Sequence, residues 1–125
     1  MANEISIAVR VYASSGSYSL SVDKSILDDL SILGDAPGVV TVGTSEENIN
    51  FGDVLCPGWC IIENLDTTNY VDIGPDSTGM VEMIRVEAGK VAIVFLYPNV
   101  TLVAKANTAA VQLLVRAFNN GTLGT

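Results

Sequence analysis

The chain carries few side chains able to do chemistry: fourteen carboxylates, six lysines and arginines, two cysteines and no histidine among 125 residues. Without imidazole the commonest general base and transition-metal ligand are gone, and so is any Ser or Cys triad of the usual kind. What remains for acid–base work is a carboxylate pair of the sort that hydrolyses glycosides. Asp66, Asp72 and Asp76 fall in one region, yet Asp66 and Asp72 flank Thr67-Thr68-Asn69, a setting where Asp and Asn form turns. Asp23, Asp28, Asp29 and Asp35 lack the fixed offsets and closing Glu of a calcium loop, and read as solvated loop carboxylates. No Gly-rich phosphate loop occurs. Cys56 and Cys60 bracket Pro57-Gly58-Trp59, a spacing that is neither a redox motif nor half a zinc site. A disulfide across that turn stays open, while Cys60, on a strand, reads as a buried free thiol. Trp59, Tyr70 and Tyr97 could together stack a sugar, but a Trp beside a Pro-Gly turn and an apolar strand reads as core. No catalytic, cofactor or metal residue is assigned, and a non-enzyme is expected.

The elements that must position these residues are bounded by size and charge. At this length one domain is expected, burying about two-thirds of the unfolded chain's surface. Apolar residues make up 49% and charged residues 16%, which excludes intrinsic disorder. The formal net charge of −8, with no Lys/Arg cluster, disfavours nucleic acid as a partner. Met1-Ala2-Asn3-Glu4 has no basic n-region, and no apolar stretch reaches the roughly 18 residues of a membrane span. Neither a secretory leader nor a membrane partner is expected.

Period-two alternation runs from end to end. Ile5, Ile7, Val9 and Val11 form one strand, Tyr18, Leu20 and Val22 the next, with Ser14-Ser15-Gly16 as their turn. Residues 24–38 read as a loop with at most one helical turn, because Gly34-Asp35-Ala36-Pro37-Gly38 breaks any helix. Eight further strand signals follow: 39–43, 47–51, 59–64, 70–73, 81–86, 91–97, 100–105 and 111–118. Strands at this spacing without helices predict an all-β fold. The expected form is an antiparallel two-sheet β-sandwich of about eight to ten strands, jelly-roll in topology, over residues 1–118. Its expected core is Trp59, Ile61, Val71, Ile73, Val91, Ile93, Phe95, Val111, Leu113 and Val115. Leu114 and Phe118 lie on the outer face of the last strand, either as an interface or under a second sheet. Residues 119–125 read as a polar C-terminal arm. Asn120, Gly121 and Thr122 in it, with Met1 to Glu4 at the other end, are expected to be adhesive.

Several phrases carry a likeness. They are Gly38-Val39-Val40-Thr41-Val42-Gly43-Thr44-Ser45-Glu46-Glu47, the Gly52-Asp53 turn, and Pro57-Gly58-Trp59-Cys60-Ile61-Ile62. The run from Glu63-Asn64-Leu65-Asp66-Thr67-Thr68-Asn69-Tyr70 to Val71-Asp72-Ile73-Gly74, then Glu87 to Ala92 and Ala104 to Gln112, complete them. Together these resemble small β-rich virion structural proteins of tailed bacteriophages. The resemblance covers about two-thirds of the chain and implies a capsid decoration (cement) protein on the head surface. Its implied partners are further copies of itself, as a homotrimer, and the major capsid protein. A tail or head–tail connector component, or a carbohydrate-binding host-attachment module, is the alternative.

Overall fold

The computed structural model describes residues 4–29, 32–52, 54, 57–76, 78–97 and 101–119. Among these no helix occurs, and every strand pairing is antiparallel. The chain divides into two compact units, Met1–Ser31 and Ile32–Thr125.

The first unit is a two-stranded hairpin of β1 (Ile5–Ser15) and β2 (Tyr18–Asp28). Its eleven rungs run without a slip from Ile5↔Asp28 to Ser15↔Tyr18. Gly16 takes φ +60° at the first central position, as a two-residue type II′ connection demands. The turn is therefore Gly16-Ser17, one residue later than the sequence suggests.

The second unit holds two four-stranded sheets, so the sandwich expected over 1–118 is confined to residues after 31. One sheet has the order β3 (Ile32–Val42), β10 (Val111–Asn119), β5 (Pro57–Asn64), β8 (Val91–Phe95). The other has the order β4 (Glu47–Asn48), β9 (Leu102–Ala106), β6 (Val71–Pro75), β7 (Ile84–Val86). The pairings nest: β3 with β10, β4 with β9, β5 with β8, and β6 with β7, inside one another. The loop expected over 24–38 is instead the end of β2 and most of β3. Pro37 is tolerated there because β3 is an edge strand, bonded on one side only to β10.

Both sheets contribute to one core. Cys60, Ile62, Leu113, Val115 and Ala117 come from the first, and Val71, Ile73, Val86, Ala104 and Ala106 from the second. The expected positions Val71, Ile73, Val111, Leu113 and Val115 are buried as read. Trp59, Ile61, Val91, Ile93 and Phe95 are not: they lie on the opposite face, with Val91, Ile93 and Phe95 56%, 44% and 50% exposed. The reason is a one-residue choice of face on two strands that are apolar on both sides. Gly58, Cys60, Ile62 and Asn64 point inward on β5, and the register Cys60↔Val94 and Ile62↔Ala92 carries the choice to β8. Gly74 fits because the backbone of Val81 passes directly over it; a Cβ there would collide with the Val81 carbonyl.

Candidate interaction surfaces

Asn64 ends β5 on the inward face and is 1% exposed, which for an amide requires partners. Its Nδ2 donates to the carbonyls of Asn69 and Val86, both at 2.9 Å, and its Oδ1 accepts from the Asp66 amide at 2.8 Å. Asp66 then accepts from the amides of Asn69 (2.6 Å) and Thr68 (3.0 Å). Those two bonds hold its carboxyl below the usual carboxylate range, the Asn69 bond contributing most. Asp66 thus builds the turn, as its neighbours in sequence suggest. Asp72 is engaged by Arg85 at 2.7 and 3.2 Å, and Asp76 accepts from the Gly79 amide at 3.1 Å. The pair with Asp72 raises the pKa of Arg85. Among the described residues no three His, Cys, Asp or Glu side chains gather as a metal site requires.

Cys60 is a free buried thiol, pushed up to about 12 by burial. Cys56 lies outside the described residues, as do Asn120, Gly121 and Thr122. Asn119, read as the start of the arm, is instead the last residue of β10 and 4% exposed. The three aromatics considered for sugar stacking find separate surroundings. Trp59 meets Phe95 edge to face, with ring centroids 5.2 Å apart. Tyr70 lies under the Arg85 guanidinium at 3.7 Å, a cation–π contact. Tyr97 is 80% exposed.

The outer face of the β3-β10-β5-β8 sheet carries an apolar patch, with Thr41 and Gln112 beside it, where a sandwich ordinarily meets water. Register places Phe95 beside Trp59, Ile93 beside Ile61, and Val39 beside Leu114 on it. Leu114 and Phe118, expected on this face, are there and half-buried. Phe118 sits at a bulge, where β5 runs two residues against one of β10. Glu63 lies among these rows, opposite Leu114 and Val91. Arg116 pairs with Asp35 at 3.3 Å toward the β3 edge. Round the β8 edge, Met83, Ile84, Val94, Phe95, Leu96 and Leu102 line an apolar cleft of about 510 Å³.

Sequence reasoning missed that Val39, Ile93 and Phe95 belong to this surface. Glu63 was the available signal, because it shares its parity on β5 with Trp59 and Ile61.

In the hairpin, directly paired residues share a face. Ile5, Ile7, Val9, Val11, Ala13, Tyr18, Leu20, Val22 and Ile26 fall on one side, with Lys24 and Asp28. The other side is Ser6, Ala8, Ser14, Ser19, Ser21, Ser25, Tyr12, Leu27 and the Arg10–Asp23 ion pair at 3.1 Å. The apolar side is open toward the turn, where Val11, Tyr18, Leu20 and Val22 are 40–59% exposed.

No protein-family model matches the chain, and neither the curated proteins nor the solved structures include a significant match.

Proposed function

We propose that this chain is a non-enzymatic structural subunit of a tailed-bacteriophage virion. In this reading it is a capsid decoration (cement) protein, held as a homotrimer on the outer head surface against the major capsid protein. The observation that carries the reading is a short chain presenting two apolar sheet faces, one on the hairpin and one on the four-stranded sheet. Exposed apolar patches of this kind mark interaction surfaces. A subunit that spends its life in a shell has them covered, whereas a freely diffusing domain would carry them as an aggregation liability.

Two further observations support it. The phrases from Gly38 to Gln112 resemble virion structural proteins of tailed phages. The nested strand pairing is what winding one long hairpin into two sheets produces, and on that basis we read the second unit as a jelly roll. That architecture serves viral shells and lectins alike. The net charge of −8 suits the outside of a shell, away from packaged nucleic acid.

A second reading, a carbohydrate-binding host-attachment module, is favoured by one observation: Trp59, Phe95 and the exposed Tyr97 lie on or beside a single strand edge. Purified chain added to particles that lack it discriminates the two. Uptake at a fixed number of copies per capsomer, with raised resistance to heat, is the expected result. No uptake, together with a saturable ligand on a glycan array, would overturn it in favour of the second reading.

A further inference from the structure

We infer that the hairpin is an exchanged arm: its apolar side packs on the outer face of the β3-β10-β5-β8 sheet in a second copy of this chain. The inference deepens the assembly reading above by naming which surface meets which.

A two-stranded hairpin is marginal by itself in water, and the apolar side that is open toward its turn must be covered for it to persist. The other side, with its serines and the Arg10–Asp23 pair, is the more polar of the two, with Tyr12 and Leu27 exposed among them. The hairpin is thus half of a two-layer unit, and what it lacks is a sheet with an apolar face. Every copy carries one such face, so donors and acceptors are equal in number.

The dimensions agree. Eleven-residue strands span roughly 36 Å and two strands roughly 10 Å, a footprint near 350 Å². The receiving sheet, four strands wide and up to nine residues long on β10, is roughly 19 by 30 Å. One junction removes roughly 700 Å² counted on both sides, below the roughly 1,200 Å² of a stable interface. Single junctions are therefore weak. In a closed ring, where every copy gives one arm and receives one, releasing a copy breaks two junctions, roughly 1,400 Å², within reach of a stable complex.

Charge is complementary as well. Lys24 is the one cation of the arm's apolar side, paired across from Val9, and Glu63 stands exposed within the receiving face between Leu114 and Val91. Antiparallel or crossed stacking brings an ammonium and a carboxylate together inside an apolar border, where the pair is little screened.

The test uses the full chain. Sedimentation at micromolar concentration is expected to give a closed oligomer for the native protein. Val11→Asp/Val22→Asp on the arm and Ile93→Asp on the face should each release subunits of 13.1 kDa with the core still folded. Should Ile93→Asp fail to fold, the charge variants decide. Lys24→Glu weakens association at least tenfold, and Lys24→Glu/Glu63→Lys restores most of it. A zero-length amine–carboxyl cross-linker applied to mixed light and heavy isotope-labelled protein should join Lys24 to Glu63 in mixed-isotope peptides.

A monomeric native protein overturns the inference. So does a face variant that still assembles, which would mean arm–arm pairing, or cross-links confined to same-isotope pairs, which would mean the arm covers its own chain. None of these outcomes depends on particles, so failure to decorate a shell would leave the exchange standing.

Discussion

Asn64 is the residue on which the two sheets are pinned, because one amide on β5 bonds three backbone groups, among them the Val86 carbonyl of β7. Asn64→Ala removes all three bonds from a buried site and should cost about 2–4 kcal/mol in urea unfolding. Its neighbour Asp66 acts with a definite sign. A carboxyl held below its unfolded pKa stabilises the fold above about pH 4, and that contribution is lost as pH falls through the lowered folded value. Asp66→Ala should therefore lower the melting temperature at pH 7 and flatten the acid limb of the stability curve. Cys60 works in the opposite direction. Its thiol titrates near 9 when unfolded and about 12 when folded, so stability is unaffected below pH 9 and falls as pH rises between those values. Alkylation of native Cys60 at pH 8 should accordingly follow unfolding and not thiolate concentration. The turn role of Asp66 was legible in the sequence, since Asp-Thr-Thr-Asn between two strands has few other uses. The role of Asn64 was not, because nothing local tells an inward Asn from a strand-ending one.

At the level of elements, faces decide more than strands do. Strand positions follow from the alternation and its Gly, Pro and Asn boundaries, so most of the ten were readable. β5 and β8 are apolar on both sides, and there periodicity cannot say which side is inside. The structure settles it through Cys60 and Ile62, both fully buried, and through the outward Glu63. Ile62→Ala should cost about 2–5 kcal/mol, whereas Phe95→Ala, half-exposed and held mainly by its edge contact with Trp59, should cost about 1 kcal/mol in the isolated subunit. Equal losses at the two positions, measured by chemical denaturation, would contradict this assignment of faces. The first part of β3, residues 32–38, was missed for a different reason: Gly34, Pro37 and Gly38 are breakers in a helix or a central strand, but an edge strand bonded only to β10 accommodates them. Gly74→Ala should prevent β6 and the 81–83 segment from closing, since the added methyl meets the Val81 carbonyl. A soluble, native-like Gly74→Ala protein by circular dichroism would contradict that packing.

At the scale of the molecule, the all-β class follows from alternation summed over the chain, while the division at residue 31 and the nested pairing depend on contacts far apart in sequence. No window of ten residues contains them. The apolar outer face was half legible: Leu114 and Phe118 were readable as outward apolar residues on the last strand. The larger part, from β3, β5 and β8, appears only when the strands are laid side by side. What unites the hairpin and the sheet is that each shows an apolar face. A structural subunit of a virion accounts for both. The most direct measurement is the copy number of this chain in purified, nuclease-treated particles, by quantitative mass spectrometry against the major capsid protein. The account predicts a fixed ratio consistent with trimers on symmetry-related sites of the shell. Recovery of the chain only in the soluble lysate, with none in the particles, would contradict it.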